Sequence, residues 1–186
     1  EYTLKAVVKE TENYKGFSAT CDFNVKKASA TDSYSKVDIE GWTYGSYDGK
    51  KNAPSIASDL NPENQTVQYT YYTDGACTTQ TSTENGAEAA GGVPKNAGTY
   101  YVKAQIPESA NYNAGTATGS FEIKPKEVTV KPDDLHKHIG GEEPQLTYTT
   151  DGIVEGETLS GITLQRVSGE DARKYEICLL YTSDAA

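Results

Sequence analysis

The chain has 186 residues, a net charge of -10 and a hydrophobic fraction of 35%. Acidic residues are spread along it and no basic stripe exists to meet phosphates, which argues against a nucleic-acid partner. No apolar run approaches the ~18 residues of a membrane span. The 17 Gly and 14 Tyr suit many short strands and tight turns around thin cores.

Residues 1–27 read as the tail of a first module. Alternation predicts a strand over 2–8, a turn at Glu12-Asn13-Tyr14-Lys15-Gly16 and a return strand over 17–25. Phe17, Ala19, Cys21, Phe23 and Val25 then share the core side, Cys21 as a small apolar residue. Residues 28–36, rich in Ser, Ala and Thr, are a linker.

Residues 37–126 form one complete module. Val37-Asp38-Ile39 opens it as a strand, Gly41-Trp42-Thr43-Tyr44-Gly45 follows, and a polar loop runs to Pro54. A strand over 66–72 puts Val67, Tyr69 and Tyr71 on one face, and Asp74-Gly75 marks a turn. Residues 76–92 are expected to be a weak strand and a long exposed loop. The module closes with a strand pair over 100–124. Residues 127–177 begin a third module, with strands over 127–131, 145–149 and 162–167, and a last one starting at Lys174.

The closing strand pair occurs twice. Residues 100–124 match residues 2–26 without a gap, at a constant offset of 98 positions. Tyr2 corresponds to Tyr100, Ala6 to Ala104, Asn13-Tyr14 to Asn111-Tyr112 and Phe23 to Phe121. An ungapped match of that length marks a domain-scale internal repeat. The chain has no Met and starts inside a repeat, which predicts a piece of a longer polypeptide. The pattern Tyr-x-aliphatic recurs at Tyr2-Leu4, Tyr100-Val102 and Tyr175-Ile177. A Tyr two positions before a core residue, opening a late strand, is the tyrosine-corner pattern of a β-sandwich. Aliphatic residues stand at the core position, so no inter-sheet disulfide is implied.

These residues carry a family resemblance. Ala97-Gly98-Thr99-Tyr100-Tyr101-Val102, then Asn111-Tyr112, then Phe121-Glu122-Ile123, resemble the bacterial Ig-like repeats of large Gram-positive surface proteins. The third module resembles the MBG (YGX-type) tandem repeats of bacterial adhesins. Its matching residues include Gly140, Pro144, Leu146-Thr147-Tyr148-Thr149, Gly156-Glu157-Thr158-Leu159, Arg166 and Tyr175-Glu176-Ile177. The motif's Tyr-Gly is kept at Tyr44-Gly45 and replaced by Ile139-Gly140 in the third module. The resemblance implies an all-β chain of tandem Ig-like sandwich repeats, one complete and two partial, with about seven strands in a full repeat. A β-grasp-like repeat is the alternative fold. The resemblance brings no catalytic residue and no cofactor.

Residues 178–186 read CLLYTSDAA. That string resembles the translation of a sequencing-library adapter, which implies a non-native tail, metagenomic source DNA and no functional meaning for Cys178.

Candidate chemistry is sparse. His136 and His138 would point the same way from a strand but lack a third ligand, so no metal site is assigned. Asp59, Asn61 and Glu63 share a loop without the Gly and closing Glu of a calcium loop. No Ser-His-Asp order is credible. Trp42, Tyr44 and Tyr47 could stack on a sugar ring, or Trp42 could plug the end of the sandwich. Lys-Asn isopeptide pairs cannot be assigned. Two roles remain: a non-catalytic spacer of an extracellular, cell-surface stalk, whose partners are its neighbouring repeats, or an adhesin module that binds a host glycan or extracellular protein.

Overall fold

The computed structural model describes residues 1–29 and 36–181, with the side chain of residue 181 left out. Alternating β-branched and aromatic residues give it twelve strands among the described residues. They are β1 (Tyr2–Val8), β2 (Phe17–Phe23), β3 (Ala28–Ser29), β4 (Trp42–Thr43), β5 (Gln68–Tyr72) and β6 (Gly98–Ile106). After them come β7 (Tyr112–Asn113), β8 (Gly115–Lys124), β9 (Thr129–Pro132), β10 (Tyr148–Asp151), β11 (Ile162–Arg166) and β12 (Ile177–Tyr181). Among the described residues the only helical pieces are two 3-10 turns, Ser58–Leu60 and Thr83–Asn85. The described chain is all-β, as the sequence predicts.

The middle module is built on a four-stranded sheet in the order β4-β8-β6-β5. Period-two alternation decides which face is buried. Tyr100, Val102, Ala104 and Ile106 of β6 face inward with Ala117, Phe121 and Ile123 of β8, while Thr99, Gln105, Thr116, Glu122 and Lys124 are exposed. The register sets Tyr100 opposite Phe121, Val102 opposite Gly119 and Ala104 opposite Ala117. Each fully buried Val, Ile or Phe contributes about 1.5–3 kcal/mol of transfer free energy. Residues 36–43 run parallel to β8 along its outer edge, through the bridge Lys36–Thr118 and the pairs Trp42–Ile123 and Thr43–Lys124. Gly119 is what lets this chain in: a Cβ there would lie 2.3 Å from the Val37 carbonyl oxygen.

The layer over this sheet is irregular. Val37, Ile39, Ile56 and Val93 pack onto the core from outside any named strand, and an antiparallel bridge joins Asp38 to Ser55. The module therefore has five strands rather than about seven, and Val37-Asp38-Ile39 makes isolated bridges instead of a regular strand. Its backbone is satisfied by side chains and single bridges, which takes fewer residues than a second ladder.

The 76–92 stretch is exposed over much of its length, as expected, but it is anchored at three buried points. Thr81, Ala87 and Gly91 are buried, and the loop pairs irregularly with β5 through Tyr71 N–H to Gly91 O at 3.0 Å and Thr81 N–H to Tyr71 O at 3.0 Å. The Thr81 hydroxyl donates to Gly92 O at 2.6 Å, so its burial leaves no polar atom unsatisfied. The burial follows from partners that folding brings, and composition does not show them.

The flanking modules are open. β1 and β2 pair in the register of β6 and β8, with Tyr2 opposite Phe23, Leu4 opposite Cys21 and Ala6 opposite Ala19. Every residue of this hairpin is exposed, Cys21 included, because no described chain covers its apolar face. In the third module β9 pairs with β10 and β11 with β12, as two separate two-stranded sheets. Tyr175 precedes β12 instead of lying in it. The buried apolar residues of the described chain all fall between Val37 and Ile123. Limited proteolysis of the whole chain is therefore expected to leave a resistant core near 37–126, with both flanks cut first. Mass spectrometry of the fragments checks this, and uniform resistance across the chain would contradict it.

Candidate functional site: the aromatic corner and the joints between modules

The Tyr100 corner organises one end of the middle module. Its ring lies in the core at 5.9 Å from Phe121, and its hydroxyl donates to Asn96 O, four residues upstream, at 3.1 Å. Burial of the ring pushes the hydroxyl above its ordinary pKa, so it stays a donor. Asn96 is itself fixed, donating through its side chain to Glu84 O at 2.9 Å and through its backbone to Asn85 O at 3.1 Å. Tyr175 repeats the span with the sense reversed: its hydroxyl accepts from Asp171 N–H, four residues upstream, at 2.9 Å. Tyr2 stacks on Phe23 at 5.6 Å, the counterpart of Tyr100 on Phe121.

The three aromatics singled out in the sequence lie at one corner of the core but differ in burial and in partners. Trp42 is 7% exposed and lies on Phe121 at 5.0 Å between centroids, so it plugs the core. Tyr47 covers the indole at 4.9 Å and is itself 44% exposed. Tyr44 is half-buried against the same core and sends its hydroxyl to the third module. Of the three, Tyr47 alone is exposed, and the indole has Phe121 and Tyr47 as ring neighbours.

Tyr44 and Gly45 make the joint to the next module. The Tyr44 hydroxyl donates to the Glu157 carboxylate, a charge-assisted bond that raises the phenol pKa. Gly45 has φ +76°, and a Cβ there would lie 2.6 Å from a Val154 methyl. The Tyr-Gly pair thus supplies a donor and a bare backbone surface for the 152–157 loop. At the corresponding Ile139-Gly140, Ile139 is exposed and Gly140 has open space around it. The joint to the first module lies at the other end of the sheet. There Lys27 Nζ donates to Glu108 and to Ser109 O at 2.7 Å, Ala28 N–H bonds Asn111 O at 2.8 Å, and β3 pairs parallel with β7.

In the third module polar contacts replace burial. Arg166 binds Glu143 at 2.5 Å, donates to Val167 O at 2.9 Å and Gly169 O at 3.0 Å, and lies 4.9 Å from the Tyr175 ring centroid. Lys137 bridges Glu143 and Glu170 at 2.7 and 3.0 Å. The Arg166 hydrogen bond, then that of Lys137, holds the Glu143 carboxyl down at about 2. The sequence showed Arg166 only as a family residue, because the cluster's members come from two stretches, 137–143 and 166–175, that are far apart in the chain.

The remaining candidates stay apart. His136 and His138 are exposed. Asn61 closes its own loop, bonding Gln65 N–H at 2.8 Å and Gln65 O at 2.7 Å, and Glu63 accepts from Asn111 at 2.6 Å. Among the described residues no group of three metal-ligating side chains is found.

Residues 128–184 match the MBG domain (YGX type) family. The match takes in the third module and β12, and so overlaps the stretch that resembles translated adapter. No curated protein and no solved structure matches the chain.

Two outcomes are expected. Tyr100→Phe removes the bond to Asn96 and lowers the stability of the middle module by about 1 kcal/mol, read as a shift of the urea midpoint at constant slope. The second concerns pH. Glu143 titrates lower in the folded module than its ordinary 4.5, so between about 4.5 and 2 the unfolded chain binds more protons. Its stabilising share is complete above about 4.5 and lost as pH falls toward 2. A carbon-detected NMR titration should place the Glu143 midpoint near 2, and Glu143→Gln should remove this acid sensitivity.

Proposed function

We propose that this chain is a run of non-catalytic spacer repeats, part of the stalk of a bacterial cell-surface or secreted protein. One observation carries the reading: the neighbours grip the middle module at opposite ends of its main sheet. Lys27 and Ala28 hold the end where β6 and β8 meet at Ile106 and Gly115. Tyr44 and Gly45 hold the end at Gly98 and Lys124, with Tyr44 N–H on Lys124 O at 2.8 Å. β6 has nine residues, so these ends lie about 30 Å apart. Modules joined end to end add their lengths, which suits a spacer. The MBG match supports a repeat module of a surface protein. The net charge of -10 keeps neighbouring stalks from associating side by side. The partners in this reading are the adjoining repeats, the setting is extracellular, and no cofactor takes part.

The adhesin reading has one observation in its favour, the exposed Tyr47 ring over Trp42. The joint and the ring are tested separately. Gly45→Val puts a branched side chain at positive φ and against Val154. It is expected to uncouple the middle and third modules, read as shorter and unequal rotational correlation times by NMR relaxation of the full chain. Unchanged joint tumbling would count against a rigid spacer. Binding of the full chain to a glycan or matrix-protein array, lost on Tyr47→Ala, would replace the spacer reading with the adhesin one.

A further inference from the structure

We propose that Asn85-Gly86 is a latent self-modification site: the closed tyrosine corner holds the pair unreactive, and opening of the 82–96 loop commits it to cyclisation and to an aspartate or isoaspartate at position 85. The site belongs to the middle module alone and does not rest on the spacer reading.

Asn85-Gly86 is the one Asn-Gly pair in the sequence, and it stands where the fold demands both residues. Asn85 closes the 3-10 turn Thr83–Asn85. Its side-chain oxygen accepts from Ser82 N–H at 3.1 Å, while the Ser82 hydroxyl accepts from Glu84 N–H at 3.3 Å. Gly86 follows at φ +74°, where a Cβ would lie 2.9 Å from the Lys95 Cβ and from the Asn96 side-chain oxygen. A side chain at position 86 would hinder its own backbone nitrogen as a nucleophile, and the fold excludes one.

The reaction needs only water. The Gly86 nitrogen gives up its proton and attacks Asn85 Cγ, the bond from Cγ to the side-chain nitrogen breaks, and ammonia leaves with that proton. The product is a cyclic succinimide, which water then opens. Cleavage of the new Cγ–N bond leaves an aspartate. Cleavage of the old main-chain bond leaves an isoaspartate, with the chain now running through Cγ. In the closed corner the reacting groups are occupied. Gly86 N–H is held by Thr83 O at 3.0 Å, and the Asn85 carboxamide is folded back on Ser82, three positions upstream. The attacking nitrogen and its target are thus each bonded in another direction.

The 82–96 segment lies outside every strand, and Thr83, Glu84 and residues 88–90 are exposed, which sets it at the low-stability end of the module. Opening frees both groups, and conversion follows at a rate set by the open fraction. An isoaspartate does not close again. The Asn85 carbonyl takes Lys95 N–H at 2.9 Å and Asn96 N–H at 3.1 Å, and Asn96 O is the acceptor of the Tyr100 hydroxyl. In isoaspartate that carbonyl becomes a free carboxylate and the main chain gains a methylene, so the anchor of Asn96 is misplaced. Aspartate keeps the main-chain carbonyl and an oxygen for Ser82 N–H, and closes as before. The isoaspartate is a permanent record that the corner once opened.

Peptide mapping of the full chain by electron-transfer mass spectrometry, after incubation in mildly alkaline buffer, tests this. In guanidinium chloride above the unfolding midpoint, Asn85 is expected to convert faster than any other Asn of the chain. In the folded wild type it should convert more than about tenfold more slowly, because the open fraction is small. Tyr100→Phe should raise the folded-state rate about fivefold, the factor set by one lost hydrogen bond. Ile106→Val, at the far end of β6, weakens the module away from the loop and should leave that rate unchanged. Asn85→Asp should keep the wild-type denaturation midpoint, whereas chains aged unfolded and then refolded should carry an isoaspartate fraction without hydrogen-exchange protection over 82–96. A folded wild type that converts at the unfolded rate overturns the proposal, as does an Asn85 that survives unfolding. So does a Tyr100→Phe rate equal to that of the wild type, or an Ile106→Val rate that rises as much as that of Tyr100→Phe. An isoaspartate chain that regains its protection, or an Asn85→Asp variant as damaged as that chain, overturns it too.

Discussion

The antiparallel pairing of β6 with β8 is the constraint on which the rest of the molecule depends. It lines up Tyr100 with Phe121 and Gly98 with Ile123, and so assembles the ring cluster of Tyr71, Tyr100, Phe121 and Trp42. The cluster is dry enough to push the Tyr71 hydroxyl up to about 12. A one-residue slip would turn every inward side chain to solvent and put Thr118 and Glu122 in the core. Register here is held by burial, so both ends of the pair, where the neighbours attach, are held as well.

Where burial is missing, the molecule uses charge. The third module holds its 166–175 loop with Arg166, Lys137, two glutamates and the Tyr175 ring instead of an apolar core. The cations are well shielded and the carboxylates half open to water. Exposed pairs of this kind fix geometry better than they add stability, because solvent screens their attraction. The cluster gives the module a shape without a dry interior.

Much of this was legible in the sequence wherever a strand is long and alternates. The hairpin of residues 2–23 and its copy at 98–124 could be read directly, and the constant offset of 98 already fixed their shared register. The reading of Trp42 as a plug also follows from its place, because an indole beside the closing strand packs on Phe121. What could not be read depends on distant partners. Thr81 can be buried because Gly92 O receives its hydroxyl and Tyr71 O its backbone N–H. Tyr44 finds Glu157 across 113 positions of sequence. The strand expected at Val37 became a set of isolated bridges, since Gly119 and Gly41 let its backbone close on β8 with no ladder of its own.

The parallel run of residues 36–43 beside β8 has a mechanical consequence. The polypeptide enters the middle module at Lys36 and leaves it at Lys124, and these two segments lie side by side and point the same way. Tension on the chain pulls the first segment back along its own axis and the second forward along the same axis. The bonds between them, among them Val37 N–H to Thr118 O and Tyr44 N–H to Lys124 O, are then loaded in shear and all at once. They cannot open one after another like a zipper. A pull along the chain meets the module in its most resistant direction, and the bare faces of Gly41 and Gly119 let the two backbones lie close enough to bear it.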